Sequence, residues 1–174
     1  MAHSVATRSL RPVGVRSSQR DDPTTALAEP TGGVIFVVMP IFLECQRCTA
    51  CCRWPGQVRL TPEEITRIAA FKGVAEADFI QQFTRVTWDR SGLALIEKPN
   101  HECIFLDGDD CAIQPVKPQQ CRDFPNLWNF TGADRSCRAL PHDVDDAEYI
   151  RRVAAATGRS PESVKEILER RKGK

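Results

Sequence analysis

The chain has 174 residues, of which 24 are Lys or Arg and 23 are Asp or Glu, giving a net charge of +1. That balance argues against a nucleic-acid binder driven by bulk charge. A hydrophobic content of 41% and a charged content of 27% fit an ordinary globular chain with one modest core.

Residues 1–33 are rich in Ser, Thr, Ala, Arg, Pro and Gly without apolar periodicity, which reads as disorder. The apolar run "VIFVVMPIFL" (34–43) contains Pro40, is too short to span a bilayer and lies too late for a signal sequence. Residues 1–38 are therefore expected to be a disordered extension or an over-extended start, with Met39 as the alternative first residue. No export signal is visible, so the expected location is cytoplasmic, where thiols stay reduced.

"FLEC" (42–45) reads as a short extended entry, and "GQVRL" (56–60) alternates like a strand. "TPEEITRIAAF" (61–71) is a helix with Thr61 as N-cap, Pro62 at the first position, Glu64 closing a capping box and Gly73 as its stop. "EADFIQQFTRV" (76–86) gives a second short helix, with Phe79, Ile80 and Phe83 expected on one face. "VTWDRSGLALIEK" (86–98) and "ECIFLDGDDCAI" (102–113) each read as strand, turn, strand. The acidic turn "DGDD" lacks the 12-residue ligand pattern of a calcium loop, and a hairpin turn explains it. "QPVKPQQCRDFPN" (114–126) holds three prolines and room for one helical turn. "DVDDAEYIRRVAAAT" (143–157) and "SPESVKEILERRK" (160–172) are helices, the first ended by Gly158 and the second opened by Ser160 and Pro161.

The expected fold is α+β: a small irregular, metal-stabilised domain (39–140) with short β-hairpins and several short helices, and a C-terminal helical pair (141–174) packed on it.

The eight cysteines are Cys45, Cys48, Cys51, Cys52, Cys103, Cys111, Cys121 and Cys137. A disulfide framework suits them poorly, because adjacent Cys51 and Cys52 could pair with each other only in a strained ring. A core role suits one or two of them, but not C-x2-C-x2-C-C. Metal binding accounts for the spacing: a two-residue gap lets two thiolates from one turn converge on one ion. C-x2-C-x2-C also matches the run around one corner of a [4Fe–4S] cluster, whose fourth ligand comes from far away. The hairpin brings Cys103 and Cys111 side by side, and the proline-rich loop presents Cys121.

All eight cysteines are candidate metal ligands. The first choice for one site is Cys45, Cys48, Cys51 and a distal cysteine, with Cys52 serving a second. An extended Cys51–Cys52 pair would point to opposite sides. His101 is a substitute ligand by its position, but a surface place or one behind a ligand is the expectation for it. Arg122 and Asp123 are expected to pair with each other or to support a ligand, with anion binding as the alternative, and Trp54 and Trp128 to shield the metal.

"CQRCTACC" followed by "CIFLDGDDCAIQPVKPQQCRDFP" resembles the YkgJ-like CxxCxxCC cysteine-cluster family, a zinc- or iron-chelating domain. Cys45, Cys48, Cys51 and Cys52 match its first element, and Cys103, Phe105 and Leu106 its second. Cys111, Ile113, Pro115 and Pro118 match the third, and Cys121, Arg122, Phe124 and Pro125 the last. Lys117 stands where the family often has Arg. The resemblance covers about residues 42–137 and implies chelation of zinc or iron, with a [4Fe–4S] cluster as one form.

The same signature resembles one in a flagellin lysine methylase, so an Fe–S redox or methyl-transfer enzyme is one alternative. A zinc-stabilised protein-interaction module is the other. The chain shows no nucleotide or S-adenosylmethionine loop and no catalytic constellation, so its being an enzyme stays open. The expected partner is a metal ion, without nucleic acid or membrane; a protein partner is left open.

Overall fold

The computed structural model describes residues 40–172, and the reading of residues 1–38 lies outside them. The chain forms β1 (Ile41–Glu44), α1 (Ala50–Arg53), β2 (Arg59–Leu60), α2 (Pro62–Lys72), α3 (Glu76–Phe83), β3 (Thr84–Val86) and β4 (Leu93–Leu95). It continues through β5 (Leu106–Asp107), β6 (Asp110–Cys111), a 3-10 turn (Gln114–Val116), α4 (Gln119–Asp123) and α5 (Ala133–Ser136). β7 (Leu140–Asp143), α6 (Asp146–Thr157) and α7 (Pro161–Lys172) complete it. The strands are antiparallel and form three small sheets, β1–β7, β2–β4–β3 and β5–β6. This is the expected small α+β domain with short hairpins and short helices.

α2 forms for the local reasons written in its sequence. The Thr61 hydroxyl accepts from the Glu64 N–H at 3.3 Å, and the Glu64 carboxylate accepts from the Thr61 N–H at 2.9 Å. Gly73, at φ 68°, ends the helix in the left-handed region that favours glycine. Its buried residues Ile65, Ile68 and Ala69 recur at three- and four-residue spacing and pack with Leu60, Phe79, Leu95, Phe105 and Ile113 into one core. Phe79 and Phe83 pack against Phe105, the first stacked on it and the second tilted, whereas Ile80 is exposed. The i and i+4 aromatics fill the buried face of α3, and Ile80, one position on from Phe79, falls at its edge.

A second core joins Phe42 of β1, Leu127, Val144, Tyr149, Val153 and Ala154 of α6, and Val164 of α7. It places the C-terminal helices against the entry strand.

The loop 114–126 holds more helix than its prolines suggested. Pro115 sits in the first turn of the 3-10 segment, and Pro118 caps α4. At those positions proline starts a helix instead of breaking one, since the N–H it lacks has no partner there anyway. A polar network then fixes α4. Glu64 accepts the Gln119 N–H at 2.6 Å; Gln119 Nε2 donates to Asp123 at 2.8 Å and to the Thr157 carbonyl at 3.0 Å.

β7 takes in Asp143, the residue expected to open the helix 143–157. α6 starts at Asp146, with Asp145 capping Glu148 N–H at 2.8 Å, and the four residues of β7 pair with β1. Pro141 fits because this two-stranded sheet is all edge.

Candidate metal centre

The first cysteines sit on a tightly folded turn. Arg47 (φ 53°) and Thr49 (φ 58°) flank Cys48 in the left-handed region. The carbonyl of buried Thr49 accepts the N–H groups of Cys52 at 2.8 Å and Arg53 at 3.2 Å, which starts α1. Cys51 and Cys52 therefore stand on a helical turn. They are not extended, and their sulfurs lie together at 4.0 Å instead of facing opposite ways.

The distal cysteines are carried to this turn by the hairpin, the loop and α5. Cys103 N–H donates to the Cys52 carbonyl at 2.7 Å, which ties the hairpin directly to α1. Cys111 lies on β6, opposite Leu106, whose N–H bonds the Cys103 carbonyl at 3.0 Å. Cys121 is in the middle of α4. Cys137 follows α5, and the next backbone N–H, of Arg138, donates to Cys48 Sγ at 3.3 Å.

All eight cysteines line one small cavity of about 60 Å³, closed by Leu95, Ile113, Pro118 and Phe124 and flanked by Lys117. All eight are free thiols. Leu95 and Ile113 belong to the first core as well, so the cavity wall and that core share side chains.

The thiols influence one another strongly. Cys51 is lowered to about 7, chiefly by the thiol of Cys52, with Lys117 helping against the effect of burial. Cys52 is pushed well up by the same contact, by burial and by the nearby Cys103 and Cys111. Burial raises Cys103, Cys111 and Cys121, and the other thiols add to it. Burial also raises Cys137, with Cys48 and Cys45 as its thiol neighbours. Burial would raise Cys48 too, but the N–H groups of Arg138 and Ala50 and the Cys137 thiol outweigh it and hold it below its usual value. Thiols raised by burial, and further by one another, ionise together more readily with a cation among them.

The donor set fits a thiophilic ion. The Cys51–Cys52 separation is close to the ~3.5–4 Å expected between two thiolates on one zinc, from a Zn–S bond of about 2.3 Å. The cavity exceeds the roughly 10–15 Å³ that a single water needs. Among the described residues, no three His, Cys, Asp or Glu side chains are yet drawn closely enough together to hold an ion as they stand.

A family model described as "Putative zinc- or iron-chelating domain" matches residues 44–138, a stretch that takes in every cysteine. The chain belongs to the CxxCxxCC family. No solved structure matches it. Membership of this CxxCxxCC family supports metal binding as the general role of the segment. Among the described residues no helix is long and apolar enough to cross a membrane.

The other residues named near the centre take varied places. His101 is exposed in a turn, its N–H bonded to the Lys98 carbonyl at 2.8 Å, and does not line the thiol cavity. Arg122 and Asp123 do not pair with each other. Asp123 takes two bonds from Arg159, at 2.8 and 2.6 Å, while Arg122 donates to the Lys117 carbonyl at 3.2 Å. On a helical turn, adjacent side chains diverge by about 100°, which carries the two apart. Trp54 stacks on Phe130 at 4.3 Å, and Phe130 on Phe124 at 5.5 Å, so the aromatic cover is a stack that reaches the cavity through Phe124. Lys117, noted in the sequence only as a departure from the family pattern, stands beside Cys51, Cys111 and Cys121 as their nearby cation. Its place between Cys111 and Cys121 was the available signal.

Proposed function

We propose that this protein binds zinc or iron through its eight cysteines, and that they divide into two neighbouring groups. The observation that carries this reading is the single cavity lined by all eight thiols. Cys51, Cys52, Cys103, Cys111 and Cys121 form the larger group, joined by the 4.0 Å thiol contact, the Cys103–Cys52 backbone bond and the β5–β6 hairpin. Cys45, Cys48 and Cys137 form the smaller one, held where the Arg138 N–H meets Cys48 Sγ. This grouping keeps Cys51 with Cys52 on one ion.

Zinc would hold the hairpin, the loop and α1 together, and iron, including as a [4Fe–4S] cluster, would add electron transfer. The chain's own contribution is to present the sulfurs and to favour the thiolate form at Cys51 and Cys48. Lys117 supplies a positive charge, and backbone N–H groups donate to sulfur. The aliphatic and aromatic wall limits water.

Elemental analysis of protein purified without oxygen, with a visible spectrum, tests the reading. Stoichiometric zinc without colour, or iron with a sulfur-to-iron charge-transfer band, supports it. Protein that holds neither metal after reconstitution overturns it. Cys52→Ser and Cys121→Ser are each expected to lower the same share of metal, and Cys48→Ser a different share. Equal loss in all three would merge the two groups into one.

A further inference from the structure

Beside the thiols lies a second, larger cavity, of about 820 Å³, within the range of small-molecule sites. It is lined by four arginines, Arg47, Arg53, Arg135 and Arg138, and by one carboxylate, Asp109. We propose that this cleft binds a small molecule bearing two or more negative charges, phosphoryl or carboxylate.

The proposal rests on the arginines and stands apart from the metal reading. Two of them are occupied. Arg47 pairs with Asp110 at 2.5 Å, and Arg53 holds Asp109 at 2.8 Å, Glu102 and the Gly108 carbonyl at 2.9 Å. Arg135 and Arg138 form no ion pair among the described residues, and both are exposed. The Arg135 guanidinium lies over Gly132, within 3.4 Å of where a Cβ would sit, at the wall of the cleft. The cleft thus holds two guanidinium groups, of Arg135 and Arg138, whose charge no carboxylate offsets among the described residues. Guanidinium groups bind phosphate and carboxylate oxygens through paired N–H donors, and a concave wall with an excess of positive charge strengthens the attraction. Thr131 and Ser136 add hydroxyls, and the indole of Trp54 forms one side. Cys48 lines this cleft and the thiol cavity alike, so a bound anion would lie next to the cysteines.

Calorimetry with fructose 1,6-bisphosphate as the phosphoryl probe and tricarballylate as the carboxylate probe tests this. Both are used on the full metal-loaded chain, with metal content measured after each titration. Saturable binding of at least one probe is expected, and which one binds identifies the chemistry. Arg135→Glu is expected to weaken it at least tenfold with metal content unchanged, and Arg135→Lys to retain most of it. Arg151→Glu changes the net charge equally but lies on α6, outside the cleft, and is expected to leave binding intact. The proposal is overturned if neither probe binds at millimolar concentration, or if Arg135→Glu and Arg151→Glu weaken binding equally. A heat that tracks metal loss also overturns it, as does binding of only a single-stranded oligonucleotide.

Discussion

Asp123 and Lys117 show how single positions next to Cys121 divide their work. Asp123 is buried and takes hydrogen bonds from Arg159 and Gln119. Asp123→Ala leaves those donors short of an acceptor, at a cost of about 1–3 kcal/mol, and frees α4 from the start of α7. Urea unfolding should register that loss, and metal content should fall because α4 carries Cys121. Lys117 is different: it is half-buried and serves as a charge beside the thiols. Lys117→Met should weaken metal affinity by roughly tenfold, as expected for loss of an outer partner of a metal ligand, with unfolding stability of the metal-free chain little changed. Lys117→Arg should restore most of the affinity. Affinity from competition with a chromogenic chelator checks both.

Among the elements, α2 is self-sufficient and the stretch from the hairpin to α5 is not. α2 has its own capping box, a glycine stop and three buried apolar residues. The hairpin strands β5 and β6 are two residues each, and the segment beyond them rests on short helical turns. Metal removal should therefore lower amide protection across residues 100–137 far more than across α2, by hydrogen exchange. Equal protection in the apo and loaded states would assign the metal no structural part. Glu64 links the two regions, since it closes the α2 capping box and also accepts the Gln119 N–H. Thr61→Ala should cost about 1 kcal/mol as a lost cap. Glu64→Ala should cost more, about 2 kcal/mol, because a half-buried N–H of α4 loses its acceptor too.

At the scale of the whole molecule, the two cores are expected to differ in what they do for the thiols. Ile68 is fully buried in the core that also holds Leu95 and Ile113 of the cavity wall. Ile68→Ala should cost about 2–5 kcal/mol and reduce metal stoichiometry. Val164 is fully buried in the other core, with Phe42, Tyr149 and Val153. Val164→Ala should cost about 2 kcal/mol and leave stoichiometry unchanged. Thermal melts with elemental analysis of both variants distinguish the roles.

The features legible in the sequence are those whose cause lies within a few residues. The α2 capping box needs only Thr61 and Glu64, three apart, and the β5–β6 hairpin only the turn between Cys103 and Cys111. Gly73 and Gly158 mark their helix ends by their own freedom at positive φ. The cysteine spacing named the family because it is itself a local pattern. The rest depended on partners far along the chain, which leave no local trace. β7 becomes a strand because β1 offers it an edge, with Ile41 opposite Asp143. Asp123 chose Arg159 over its neighbour Arg122 because the turn of α4 separates adjacent side chains. The Cys51–Cys52 contact is local, made where the carbonyl of Thr49 bends the backbone into a helical turn, but the cysteine pattern itself does not tell a helical turn from an extended pair. The arginine cleft exists only because α1, the β5–β6 turn and α5 meet in space, and charge gathered from separate segments is invisible to any window along the sequence.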